Sequence, residues 1–179
     1  FDMYSKDVAV IVNSSHGSSD AILSASGSAQ TMFQIEGSRL AGKKINYLFP
    51  TVFAKKYMEF LYEYTQSLSE SESENKFKTF AKTASGHLFE VEIFFKVYPE
   101  ISQEMKIMAL LKTVPSSHHM MLLSHDGSIL NYDSQIAKDL NIMTSDVGRL
   151  NIQKLCPTFN PINKAFNSVY SNEWELGSR

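Results

Sequence analysis

Part of this chain is written twice, and that constrains its fold more than any other feature. Displacing the sequence against itself by 107 positions (129 − 22) lays residues 129–157 under residues 22–50 without a gap. Ile22 and Leu23 meet Ile129 and Leu130, Ile35 meets Ile142, Ile45 meets Ile152, Leu48 meets Leu155, and Pro50 meets Pro157. Phe33 over Leu140 and Leu40 over Val147 keep the apolar frame where identity is lost, while Gly42 and Gly148 miss by one place. A unit of about 110 residues is a domain rather than a solenoid repeat. The 179 residues therefore hold one full copy and the beginning of another.

Hydropathy patterning supplies the elements of each copy. Residues 8–12 read as a short apolar strand, 14–20 as a polar turn and 21–24 as a second strand. A small helix over 28–33, a loop with Gly37, the phrase Leu40-Ala41-Gly42-Lys43-Lys44-Ile45 and a turn over 46–49 lead to Pro50. Residues 51–68 place Phe53, Tyr57, Phe60, Leu61, Tyr64 and Leu68 on one face of a 3.6-residue period, which predicts the long helix of the chain. The run SLSESESEN over 67–75 has no apolar partner and reads as a solvated acidic connection, in preference to a phosphorylation or docking site.

Three strands are then expected, over 76–84, 88–97 and 106–114, broken by the turn Ser85-Gly86-His87 and by a turn containing Pro99. In the second copy, strands over 119–123 and 129–132 flank His125-Asp126-Gly127-Ser128. Asp-Gly between apolar runs predicts a hairpin, because glycine supplies the positive φ of a tight turn. A small helix over 134–140 and a helix candidate over 161–170 follow. The expected organisation is a first domain over 1–115 and the N-terminal part of a second over 119–179, whose last three strands are not in this sequence. The fold class is α+β: a five-stranded antiparallel sheet with helices on one face, followed by an incomplete second copy.

This ordered set of strand, turn, strand, small helix, Leu-x-Gly-Lys phrase, Pro, long helix and three antiparallel strands resembles the PAS family of sensory and interaction modules. The first copy matches over residues 8–115 and the second over 119–170. The likeness is to tandem regions of multi-PAS signalling proteins of microbial eukaryotes. It implies a non-catalytic region that dimerises or relays a signal, in the cytoplasm, within a parent that is in some cases membrane-anchored elsewhere. Two alternatives stand beside it: a structural interaction scaffold without a ligand, and the regulatory region of a kinase or cyclase lying outside this chain.

Composition bounds the partners. A formal charge of −2 gives no electrostatic case for nucleic acid. The longest apolar runs fall far short of the ~18 residues a membrane helix needs. The single cysteine, Cys156, cannot form an internal disulfide, which suits a reducing compartment. The chain opens on Phe without a leader pattern and reads as a piece of something longer.

No residue set asks for catalysis, a metal or a cofactor. The resemblance implies a flavin photosensor only with a reactive cysteine in an Asn-Cys-Arg-Phe-Leu-Gln context, and residues 37–48 and 144–155 contain no cysteine. A haem sensor of the family would carry an axial histidine on the long helix; 51–68 and 161–170 have none, and Met58 reads as packing. His16, His87, His118, His119 and His125 lie in turns or alternate across a strand, a spacing poorly suited to one metal ion. Ser116 near His118 and Ser124 beside His125 are neighbours in sequence only, which does not make a triad.

What remains is the interior and the second face of the sheet. Phe33, Leu48, Tyr57, Phe60, Val91, Ile93 and Phe95 are the candidates for lining a small-molecule pocket, with close-packed core as the plainer reading. Alternation over 88–97 sends Phe89, Val91, Ile93, Phe95 and Val97 to one face and Leu88, Glu90, Glu92, Phe94 and Lys96 to the other. Leu88 and Phe94, with Met108 and Leu110 of the closing strand, are therefore the interface candidates, for a second subunit or a flanking helix of the same chain.

Overall fold

A computed structural model describes residues 7–14, 21–35, 40–67, 76–98 and 105–159. The expected turn after Ser14 with His16, the loop at Gly37, the acidic run over 68–75, the turn at Pro99 and the helix over 161–170 lie outside the described residues. The chain divides into two compact units, one through His119 and one from Met120.

The first unit is α+β and PAS-like in its element order. Strands β1 (Val8–Ser14) and β2 (Ile22–Ala25) precede helix α1 (Gly27–Met32), a 3-10 turn (Ile45–Tyr47) and helix α2 (Thr51–Ser67). Strands β3 (Lys76–Lys82), β4 (His87–Val97) and β5 (Lys106–Thr113) close the unit. All pairings are antiparallel, in the order β2-β1-β5-β4-β3. The register sets Ile11 against Ala109, Ile93 against Leu111 and Thr79 against Val91. One face of the sheet thus carries Ala9, Ile11, Val91, Ile93, Phe95, Ile107, Ala109 and Leu111, all buried in one core with Ala54, Tyr57, Leu61 and Tyr64 of α2. Each fully buried large side chain of this kind is worth roughly 1.5–3 kcal/mol, so the α2–sheet contact dominates the unit's stability.

The second unit has the hairpin β6 (Met121–Leu123) and β7 (Ile129–Asp133), helix α3 (Ser134–Asp139), a 3-10 turn (Thr144–Asp146) and helix α4 (Ile152–Leu155). β6 starts two residues later than expected and β7 runs one residue further, and Asp133 N donates to Met120 O at 2.9 Å just before β6. Gly127, at φ +84°, makes the hairpin turn; a Cβ there would stand 3.1 Å from Asn151 Oδ1, so glycine is needed for space as well as conformation.

The two units repeat each other bond by bond. Ile22 N donates to Lys43 O at 2.8 Å and Ile129 N to Leu150 O at 2.9 Å, both pairs 107 residues apart (129 − 22, 150 − 43). Isolated bridges join Ala21 to Lys44 and Ser128 to Asn151. Ile35 N bonds Gln30 O and Ile142 N bonds Ala137 O, each at 2.9 Å. The only described non-glycine residues with positive φ are Gln34 (56°) and Asn141 (51°), again equivalent. The glycines that miss by one place are reconciled by geometry: Gly42 N and Gly148 N both reach the carbonyl of the equivalent isoleucine, Ile22 or Ile129, at 2.7 Å. Helix caps correspond too. Ser26 caps α1 and exchanges bonds with Val10 through its own N and Oγ; Asp133 caps α3 and does the same with Met120 through N and Oδ2.

Candidate functional site

The space between α2 and the sheet is the first candidate. Alternation on β4 and the 3.6-residue period of α2 both aim aromatic side chains into it. Phe95 is ringed by Tyr57 (centroids 5.3 Å apart), Tyr64 (5.8 Å), Phe60 (6.0 Å) and Phe77 (6.1 Å). Phe60 and Phe77 touch at 4.3 Å. The chain of rings continues from Tyr57 to Phe49 (5.2 Å), from Phe49 to Phe33 (6.4 Å) and from Phe33 to Phe89 (5.6 Å). Aromatic pairs at such separations favour edge-to-face and offset contacts and add to the burial term. All seven sequence-predicted pocket residues belong to this region: Phe33, Leu48, Tyr57, Val91, Ile93 and Phe95 are buried, and Phe60 packs against them half-buried.

One polar pair is buried inside this apolar interior. Tyr57 Oη donates to Asn13 Oδ1 at 2.7 Å, joining α2 to β1 across 44 residues (57 − 13). Asn13 Nδ2 in turn donates to Ala21 O at 3.4 Å. Burial pushes the Tyr57 hydroxyl pKa upward, so it stays a hydrogen-bond donor through the physiological range. Sequence reasoning missed Asn13. The signal was present: on β1 the core-facing positions run Ala9, Ile11, Asn13, and a polar residue at the third of these requires a partner. Phe49, Phe77 and Tyr64 were missed as pocket neighbours for want of any knowledge of which rings meet.

The second candidate is the opposite sheet face. Val8, Met108 and Leu110 are buried there in a cluster separate from the main core, with Val10, Phe94 and Tyr98 half-buried against it. Val10 and Phe94 flank Leu110 in the register, so these three form one stripe, with Met108 two residues along β5 on the same face. Leu88, also buried, lies on this face opposite Lys82 but outside the cluster. Of the four interface candidates, Leu110 is 0% exposed and Leu88 and Met108 are buried in the single chain, as the flanking-segment alternative of that expectation allows. Phe94 is the one of the four that is only half-buried, with Lys96 Nζ 5.5 Å from its ring centre.

Serine–histidine contacts are local. Ser85 Oγ meets His87 Nδ1 at 3.0 Å and Ser117 Oγ meets His118 Nδ1 at 3.2 Å, in each case within a turn or linker. Among the described residues, no group of three His, Cys, Asp or Glu side chains could hold a metal ion, and no helix is long and apolar enough to cross a membrane.

No protein-family model matches the chain, and no curated protein matches it. Similar solved structures are PAS domains. One is that of an HTR-like protein from Haloarcula marismortui, at 15% identity, covering 60% of this chain and 81% of that one, with a TM-score of 0.45. Another is from a Colwellia psychrerythraea protein, at 15% identity over 62% and 88%, TM-score 0.47. A third is PAS-B of Drosophila melanogaster Cycle with bound ethylene glycol, at 13% identity over 59% and 99%, TM-score 0.45.

Proposed function

We propose that this chain is a non-catalytic PAS-like interaction segment of a signalling protein. It consists of a complete module followed by the opening half of a second, and it relays conformational change along the chain. The observation that carries this reading is the recurrence of caps, bridges and positive-φ residues in the two units, which supports reading the second as a copy of the first module's opening. Burial of Leu110, Met108 and Val8 in the single chain supports relay through a flanking segment of the same polypeptide rather than through a second subunit.

Phe94→Glu tests the relay, since it alters the outer face and leaves the core-facing side of β4 intact. Hydrogen exchange in Met120–Phe159 should accelerate about threefold or more while β4 and α2 keep their protection. Sedimentation should give the same monomer mass for parent and variant. Unchanged exchange in the second unit would sink the relay. A parent dimer dissolved by Phe94→Glu would move the face to a subunit interface. Native mass spectrometry should show the bare polypeptide; a stoichiometric adduct, or a haem or flavin absorption band, would make the first unit a ligand sensor instead.

A further inference from the structure

We propose that the free edge of β3 is a docking surface for a second copy of this chain, which adds its acidic run, Glu70-Ser71-Glu72-Ser73-Glu74, as an antiparallel strand. Strand β3 pairs with β4 in continuous register, from Lys76 opposite Phe94 to Lys82 opposite Leu88. Thr83 N donates toward β4, to His87 O at 2.9 Å, whereas Lys82 N points the other way, to Leu48 O at 2.8 Å. Alternation then turns the backbone groups of Lys76, Lys78 and Phe80 away from β4 as well. Among the described residues no backbone group meets these three on that side. Such a row of donors and acceptors is a template for one more strand.

Charge selects the occupant. β3 carries Lys76, Lys78 and Lys82 and no carboxylate, and Lys76 and Lys78 are exposed. Glu92 of β4 stands opposite Lys78 and pairs with Lys76 at 3.9 Å, one carboxylate beside two ammonium groups. Laying one β3 edge against another brings lysine against lysine, and like charges directly opposite are destabilising. The acidic run repeats Glu at the same two-residue period as these lysines. With Asn75 on a two-fold axis, antiparallel pairing sets Glu74 against Lys76 and Glu72 against Lys78 in both directions, an isologous contact. Ser71 and Ser73 then fall on the face where Phe60 and Phe77 meet, and their small side chains fit beside the rings.

The run does not reach along its own β3. Phe53 meets Phe80 at 5.5 Å and Phe60 meets Phe77 at 4.3 Å, so α2 and β3 run in opposite directions. Ser67, the end of α2, therefore stands about 20 Å along the helix from the level of Phe80. The stretch from Ser67 to Glu70 spans at most about 11 Å. A second copy has no such tether.

The contact is small, so association is expected only at about 100 μM chain and above in low salt, with the monomer mass holding below. There sedimentation of the full chain should approach the dimer mass, and amide exchange at Lys78 and Phe80 should slow about tenfold against dilute chain. Salt at about 0.5 M should reverse both. Reversing the run (Glu70→Lys, Glu72→Lys, Glu74→Lys) should abolish dimerisation, and so should reversing the edge (Lys76→Glu, Lys78→Glu). Mixed in equal amounts, the two variants should dimerise again, because each run then meets an edge of opposite sign.

A chain that stays monomeric when concentrated in low salt, or a mixture of variants that stays monomeric, would overturn the edge contact. So would a dimer in which the Lys78 and Phe80 amides exchange as before. Protection of those amides at every concentration would make the chain's own run the occupant, and an unaltered dimer in the reversed-run variant would move the contact elsewhere; either result displaces the second copy's run from β3. If circular dichroism shows the reversed-edge variant unfolded, the reversed-run variant and the salt series decide alone, since neither alters a residue of β3.

Discussion

The two units begin alike and end differently, and the contrast separates local from tertiary causes of structure. Ser26 and Asp133 cap equivalent helices, Gln34 and Asn141 take the same left-handed conformation, and Ile22 and Ile129 are both fully buried. Yet Phe33 is 0% exposed and Leu140 44%. The local hydrogen bonds form in both units because they depend on neighbours within about 20 residues, whereas burial depends on α2 and β3–β5, which only the first unit has among the described residues. A conformation can therefore be copied without its stability.

The largest effect that would test this contrast is Phe95→Ala. It removes the ring shared by Tyr57, Phe60, Tyr64 and Phe77, and should cost ~3–5 kcal/mol in urea unfolding of the first unit. Leu140→Ala in the second unit should cost about 1 kcal/mol or less, since much of that side chain is already in water. Equal losses at the two sites would break the comparison.

Next comes the buried polar pair, which has no described counterpart in the second unit. Tyr57→Phe leaves the Asn13 carbonyl without its donor and should cost about 1–3 kcal/mol. Asn13→Ala should cost a similar amount. In a double-mutant cycle the two losses should fail to add; additivity would mean that the bond contributes nothing.

Caps should behave alike in the two units. Ser26→Ala and Asp133→Ala should each cost about 0.5–2 kcal/mol, with Asp133 the larger because it accepts from both Gln135 N and Ile136 N at 2.8 Å. Amide exchange at α1 and α3 would show whether each loss is local.

The β6–β7 turn adds a pH dependence. The Ser124 hydroxyl, the Ser128 amide and the Ser128 hydroxyl all donate to Asp126 and hold its carboxyl at about 2, below the usual 3.8. A carboxyl lowered on folding contributes above its unfolded pKa and loses that contribution as pH falls through the folded value. The turn should therefore loosen between pH 3.8 and about 2, followed by the Ser128 amide shift, and Asp126→Asn should remove the titration.

The smallest effect is expected at the left-handed positions. Gln34→Gly should stabilise by about 0.5–1 kcal/mol and Asn141→Gly by less, because asparagine already tolerates this conformation. Thermal unfolding of the two variants would rank them.

Most elements were legible from sequence because their causes are local. The long helix was expected over 51–68 and is Thr51–Ser67; the central strand was expected over 88–97 and is His87–Val97. Alternation also sent Phe94 and Phe95 to opposite faces, and they do pack in different clusters. The register slip at Val12/Asn13 was not legible, nor was the use of Asn13 as a core residue, since both depend on partners far along the chain.

By itself, then, the sequence determined the periods and the tight turns, which arise between residues close in the chain. Tertiary structure decided the rest: that Tyr57 meets Asn13, that Leu110 is covered while Phe94 is half in water, and that Phe33 is buried where Leu140 is not. Burial is a property of what arrives from elsewhere in the chain, and no local pattern encodes whether it arrives.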